Sequence, residues 1–484
     1  MQKQKSLKLN FIMNAVLTAS SIVFPLIIYP YISRILLPEG VGKVALAVSI
    51  ISFFTIFSQL GIPVYGLRLT AQLRDDKENL TKAVQELFII NMITTFITYA
   101  ALIMAIFYLP QVRGEKWLYI VLSSSIILNT VGMEWLFKGL EEYTYITVRS
   151  IIFKVIGIIL ILLLVHSKKD YIIYGAITIV SGYLAFILNF ICSFRWINFK
   201  PLKNYNLKKH LKPIFVFFAM ACAITVYTNL DTVMLGFMKT NTDVGYYSVV
   251  IKIKNVLISL ITSLGAVLLP RCSYYIKNNL LDEFRTISFK AMSFIFVLSI
   301  PLMMYFMIFA KYTILFLFGS AFNDSVIPMQ VIMPTLLFIG ITNLIGFQIM
   351  VPLGKENLVL YSVILGSITD VILNFILIPK YSAAGAALGT VFAELVVLIF
   401  QVVVMKKYVL NNIKNQEYIK LISALLFAVT ISLCLVKFSY NNFFAIIISA
   451  LSFFVVYITT LYLTKEKITV EIFNTITLKL KKVF

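Results

Sequence analysis

Five polar side chains in one apolar stretch carry the first chemical signal. Ser248, Lys252, Asn255, Ser259 and Thr262 recur at spacings of four, three, four and three, which aligns them along one face of a helix. The other faces are Val, Leu and Ile, apart from Lys254. A polar stripe holding a cation fits the wall of a hydrated chamber. The competing reading is a Lys252 that only pairs with a neighbouring carboxylate. Lys254 sits about 200° further round the helix, so snorkelling or a buried pair is its expected fate.

One span earlier stands Asp231, with Tyr227 and Thr228 a turn before it. An Asp231–Lys252 ion pair is compatible with the short connection between the two spans. Such a pair is either structural or a gate opened by competing substrate. Asn14, Thr18, Ser21 and Pro25 form a second polar face at spacings of four, three and four, followed by Arg34. Arg34 reads as a cavity residue or as an interfacial anchor. Arg68 and Arg271 end the second and eighth spans, either as a paired cytoplasmic rim or as ordinary loop-side charge. Asp370 and Asn374 lie one turn apart, with Glu394 in the next span. Intramembrane carboxylates carry protons or sodium in coupled transport, and equally serve as hydrogen-bonded helix contacts. Lys154 pairs with one of them or with something else. A chamber lined by Lys and Arg in a low-dielectric site selects phosphate or pyrophosphate, through strong charge-assisted bonds.

The elements that hold these residues must be membrane spans. Of 484 residues, 60% are hydrophobic and 13% charged, with a mean hydropathy of +0.93, against about 25% charged in soluble domains. That excludes a water-soluble protein. Runs of about 20 apolar residues predict about fourteen spans: 12–32, 43–63, 85–109, 117–137, 146–165, 171–194, 213–236, 246–269, 288–310, 326–350, 358–378, 386–405, 418–436 and 442–463. The basic stretch before the first span does not read as a cleavable signal. Placing the N-terminus and alternate loops in the cytoplasm puts 29 Lys and Arg there against 10 outside, so both termini are expected to be cytoplasmic. The net charge of +21 is therefore topology, and nucleic acid is not expected as a partner. Cys192, Cys222, Cys272 and Cys434 show no metal spacing, and His166 and His210 fall at span ends. No metal and no cofactor are expected.

A repeat is visible at an offset of 203, which relates Val41-Gly42 to Val244-Gly245, Arg68 to Arg271 and Lys82 to Arg285. Gly139-Leu140-Glu141 and Gly354-Lys355-Glu356 follow at 215. The expected architecture is all-α and membrane-integral, with two six-helix bundles in parallel repeat and two extra C-terminal helices. The boundaries are an N-terminal bundle 1–197, a basic cytoplasmic linker 198–212, a C-terminal bundle 213–407, and 408–484 for the extra helices and a basic tail.

Several segments resemble bacterial polysaccharide flippases of the multidrug/oligosaccharidyl-lipid/polysaccharide exporter superfamily. They are Phe24-Pro25 through Tyr29-Pro30-Tyr31-Ile32-Ser33-Arg34, Val41-Gly42, Gly61-Ile62-Pro63-Val64-Tyr65-Gly66 and Glu134-Trp135-Leu136-Phe137-Lys138-Gly139-Leu140-Glu141. Asp231-Thr232-Val233-Met234-Leu235-Gly236, Val244-Gly245-Tyr246-Tyr247-Ser248 with Lys252, Pro270, Gly319-Ser320-Ala321-Phe322 and Gly385-Ala386-Ala387 complete the set. The likeness covers the first twelve spans; the last two match only in being hydrophobic. It implies translocation of undecaprenyl-pyrophosphate-linked oligosaccharide across the plasma membrane, for O-antigen, capsule or exopolysaccharide. It also implies alternating access around a cationic chamber, with Lys252 the residue carried over most directly, then Asp231 and Arg34. Proton or sodium coupling is expected of the superfamily, as is loose association with glycosyltransferase or polymerase machinery; a monomer is the default.

The alternatives fare worse. A multidrug or cation antiporter needs an acidic or aromatic cavity, whereas the stripe here is basic. A membrane polymerase or ligase needs a sizeable outer loop for its catalytic groups, and no connecting segment exceeds about 20 residues. A scaffold has no use for costly intramembrane charge.

Overall fold

The structure is a computed structural model that describes residues 7–202, 204–263, 265–414, 416–437 and 441–480. The chain termini, on which the expected topology rests, lie outside these residues. The described residues are almost entirely helical. The chain divides into two compact units, Met1–Ser248 and Val249–Phe484.

The first unit opens with α1 (Leu7–Gln59), long enough for two of the expected spans and broken at Leu37, where φ is 58° and ψ 176°. Pro38 follows the break, and its ring disfavours a helical conformation in the residue before it. The chain then turns through Leu60 and Gly61 into α2 (Ile62–Leu73), with proline in its first turn. Next come α3 (Lys77–Tyr108), α4 (Pro110–Arg113) and α5 (Lys116–Gly132). At the head of α3 the Asp76 carboxylate accepts from the Asn79 amide, and the hydrogen bonds from Asn79 hold it below the usual carboxylate range. A left-handed Met133 separates α5 from α6 (Glu134–Gly139), splitting the expected span 117–137. After α7 (Tyr143–Leu164) come α8 (Tyr171–Ile179) and α9 (Phe186–Ser193), joined by a π-helical turn at 180–184. The unit ends with α10 (Lys208–Met238) and the first turns of α11 (Asn241–Thr262). Hydroxyls inside it satisfy one another: Ser58 lies 2.8 Å from Thr95, and Thr95 2.7 Å from Thr130, joining α1, α3 and α5.

The second unit continues with α12 (Gly265–Lys277), α13 (Leu281–Ile308) and α14 (Ala310–Phe318). The bend of 45° between Ser320–Ile332 and Thr335–Met350 contains α15 (Val326–Ile332) and α16 (Thr335–Asn343). The 49-residue α17 (Glu356–Val404) is broken at Ser382, so it too covers two expected spans. Then come α18 (Lys406–Lys414), α19 (Tyr418–Val436), α20 (Asn442–Leu463) and α21 (Lys467–Leu480). The last apolar pair is tied down by the Ser452–Ser432 hydroxyl bond and by Tyr305 of α13, 3.0 Å from Ser449.

Among the described residues ten helices are long and apolar enough to cross a membrane, or eleven if the bent pair is one span. The expected fourteen segments therefore do not map one to one onto helices. Two pairs of them share the broken helices α1 and α17 for most of their length, and those at 117–137, 246–269 and 326–350 are each divided between two helices. Large side chains such as Phe96 (78% exposed) and Ile419 (85%) cover the outside, which suits hydrocarbon and not water.

The offset of 203 recurs in the helix boundaries. α1 ends at Gln59 and α11 at Thr262; α2 begins at Ile62 and α12 at Gly265. Leu37, where α1 breaks, corresponds to Thr240 in the turn between α10 and α11. The second repeat thus shows as two helices what the first carries as one broken helix.

Candidate functional site

Lys252 stands midway along α11 and is exposed, as is Asn255. Ser259 and Thr262 are half-buried and return their hydroxyls to the carbonyls of Val256 and Ile258. Ser248 is buried and bonded to Gly245 O, so the open part of the stripe begins at Lys252. Lys254 is half-buried on another side of the helix.

Asp231 is buried in α10 and accepts a 2.5 Å hydrogen bond from the Tyr247 hydroxyl. That tyrosine was not singled out from sequence, although it lies within a family-like motif. Near this contact the repeated glycines meet. A Cβ on Gly42 would fall 1.7 Å from Asn241 O, and one on Gly245 would fall 1.9 Å from Pro38 O. Only glycine permits that approach, so the Val-Gly pair of each repeat forms a seam between α1 and α11. Beside it Glu39, Gln111, Lys239, Thr240 and Asn241 line a polar cavity of about 330 Å³.

On α1, Asn14, Thr18, Ser21 and Arg34 are all exposed, and Thr18 donates to Asn14 O at 2.9 Å. Arg68 and Arg271 are exposed but do not end the apolar helices. Each lies inside a separate short helix, α2 or α12, because the chain breaks after Gln59 and again after Thr262. Asp370, Asn374 and Glu394 are buried in α17. A Cβ on Gly389 would sit 2.3 Å from Asn374 Oδ1 and 3.3 Å from Asp370 Oδ1, so the two arms of α17 close upon these polar groups. Gln401 donates to Ser362 further along the same interface.

Three features escaped sequence reading. Lys154 of α7 does not turn to a carboxylate of α17; its ammonium donates to Ser20 at 2.8 Å and Ser21 at 2.9 Å on α1. Arg149, one turn and a residue earlier, is buried against Glu134, Asn189 and the rings of Tyr145 and Phe186. The stretch expected as a linker is also held down. The Gln85 side chain donates to the carbonyls of Asn198 and Lys200, and Tyr205 bonds back to Gln85 at 2.7 Å. Glu86, fully buried, accepts from Asn206 N at 2.7 Å and from Lys209 and His210 at 2.8 Å. His210 in turn faces the Tyr65 hydroxyl at 2.9 Å. Glu86 and His210 are 124 residues apart, so no local pattern announces them. Among the described residues no cluster of three or more His, Cys, Asp or Glu could hold a metal ion.

Comparison with known proteins follows the same line. The model of the polysaccharide biosynthesis protein family matches residues 7–276, more than half of the chain. Two curated proteins named for O-antigen transport are similar over most of the sequence. The one from Escherichia coli is 24% identical over 396 residues, covering 81% of this chain and 95% of that protein. The one from Shigella dysenteriae is 24% identical over 407 residues, covering 83% and 100%. Among solved structures, the lipid II flippase MurJ in an inward closed conformation matches with a TM-score of 0.72 at 16% identity, over 93% of this chain and 98% of that one. An inward-facing multidrug resistance MATE family transporter of the MOP superfamily gives 0.62 at 13%, over 84% and 99%. At such identities these structures establish the fold, an all-α membrane transporter fold.

Proposed function

The chain belongs to the polysaccharide biosynthesis protein family, and on that premise we propose that it is a flippase, a transporter and not an enzyme, for lipid-linked oligosaccharide. The observation that carries the reading is Lys252, a lysine with an exposed side chain midway along a membrane-spanning helix. An ammonium facing hydrocarbon there is costly, so such a group belongs to a hydrated passage. What a cation in that setting attracts is phosphate. A polyprenyl pyrophosphate supplies it, while its tail stays in the bilayer and its sugars take the hydrated route. The names of the O-antigen transport relatives and of the lipid II flippase support this cargo.

The finer parts of the proposal are these. The lipid is undecaprenyl pyrophosphate, and movement is by alternating access. Lys252, Arg34, Asn14, Thr18, Asn255 and Ser259 serve the polar head, with the buried Ser248 behind them, Asp231 as gate or ion-pair residue and Arg68 and Arg271 as cytoplasmic rim. Asp370, Asn374 and Glu394 serve a coupling proton or sodium ion. The protein sits in the plasma membrane as a monomer, partitioned at 197 and 213, with both termini cytoplasmic. Glycosyltransferase or polymerase machinery associates loosely with it.

The test is a sidedness assay in liposomes carrying fluorescent undecaprenyl-pyrophosphate oligosaccharide, read as inner-leaflet lipid becoming accessible to an external glycosidase. The unsubstituted protein is expected to expose that lipid, and Lys252→Ala to lose the activity by about tenfold or more, as expected for one charge-assisted contact. Absence of movement with the unsubstituted protein, together with extrusion of a cationic dye under an ion gradient, would replace this reading with a cation antiporter.

A further inference from the structure

The polar face of α1 has a cation that α1 does not encode. Lys154 stands half-buried midway along α7 (Tyr143–Leu164), a helix whose exposed residues, from Val148 to Leu164, are all Val, Ile or Leu. Its ammonium reaches across to Ser20 and Ser21 at 2.8 and 2.9 Å. Both serine hydroxyls donate to Leu17 O, which leaves their lone pairs for the ammonium. Two of its three N–H donors are thereby used, and one remains. Ser21 is exposed and lies on the same face as Asn14 and Thr18, while Thr147 of α7 donates to Met13 O and fixes the two helices together at one end.

What Lys154 lacks is a counter-charge in direct contact. No carboxylate lies within ion-pair distance of it among the described residues. The carboxylate whose field reaches it, Glu134, is bound by Lys138 at 2.7 Å and by Arg149 at 3.3 Å. One negative charge thus serves three cations. A lysine kept only to fasten α7 to α1 needs no charge, and a neutral donor would do the same at lower cost within a membrane. Hydroxyls as its direct partners orient the ammonium without neutralising it, which is what an anion site requires.

We propose that Lys154, with Ser20 and Ser21, is a phosphate-binding site on the α1–α7 face of the first unit, for the charged head of the transported lipid. This rests on the flippase reading for the source of the phosphate, not for the existence of the site.

The experiment compares purified protein with Lys154→Met and Lys154→Arg. The readout is the dose of farnesyl pyrophosphate that raises the melting temperature, with farnesol, inorganic pyrophosphate and phosphatidylglycerol as parallel arms. The site predicts stabilisation by farnesyl pyrophosphate and not by farnesol, retained in the Arg variant. In the Met variant the required dose rises about tenfold, the scale of one charge-assisted contact. The Met variant itself is expected to melt no lower than the parent. A charge-dependent response to phosphatidylglycerol alone would assign the same site to a membrane phospholipid, and one to inorganic pyrophosphate to a free anion. If Lys154→Met cannot be purified, the double variant Ser20→Ala, Ser21→Ala keeps the charge but frees the lysine, and a response weakened about threefold, a fraction of one contact, is expected. An unchanged dose response in the Met or double variant overturns the site, as does a lower melting point with no change in response. Binding is read without translocation. Failure of the liposome assay beside a Lys154-dependent response therefore removes the flippase reading alone, and translocation with no Lys154-dependent response removes this site alone.

Discussion

Glu86 has no exposure to solvent, and its carboxylate holds three donors from the stretch that leads into α10. Removing it strands the buried His210 and the Asn206 amide, whereas Lys209 is about half exposed and can turn to water. Breaking a buried pair in this way costs about 3 kcal/mol or more. Glu86→Ala is therefore expected to unfold at clearly lower temperature in detergent, while Lys209→Ala changes the midpoint little. The contrast between the two variants is the measurement. At this scale the sequence was partly legible. The spacing of Lys252, Asn255 and Ser259 marks a face because helix periodicity is local. The partners of Lys154, Arg149 and Glu86 come from other helices, and no spacing encodes them. Tyr247 was hidden for another reason: it is one of 26 tyrosines and stands 16 residues from Asp231, so it carries no signal until the contact is seen.

At the level of elements, apolar runs gave the spans, and prolines and glycines gave their breaks only in part. α1 breaks at Leu37, just before Pro38, where the sequence leaves a gap between two spans. Met133 and Ser382 break helices with no proline beside them. The short helices α2 and α12 were missed because each continues an apolar run and then carries arginine, so hydropathy reads them as span ends. The repeated Val-Gly pairs were legible as a repeat but not as a contact. Their seam gives a direct test: a methyl group on Gly42 would collide with the Asn241 carbonyl, and backbone cannot swing aside as a side chain can. Gly42→Ala is expected to cost about 1–3 kcal/mol, read as a lower melting midpoint. Gly182→Ala, whose Cβ would meet nothing within 4 Å, should leave the midpoint near that of the parent and serves as the control.

For the molecule as a whole, the distribution of Lys and Arg makes a claim about sidedness that helix packing does not address. Both termini are expected inside the cell. A green fluorescent protein fused after Phe484 should fluoresce, and alkaline phosphatase fused at the same point should be inactive; the reverse pattern would invert the topology. The all-α class was legible because hydrocarbon leaves few other ways to satisfy a backbone. The number of helices was less so, since a span and a helix are different objects wherever one helix runs through two spans or one span is built from two helices.

The stretch between Asn198 and His210 has a practical side. By composition it is the natural place to insert a reporter or a protease site: polar, basic and between two apolar blocks. Its backbone is already spoken for by Gln85, Tyr205 and Glu86, and insertion is tolerated where backbone is exposed and unbonded. The turn at Asp75, where the side chain is 95% exposed and a local bond from Asp76 N to Leu73 O closes the backbone, is the better address for a foreign segment.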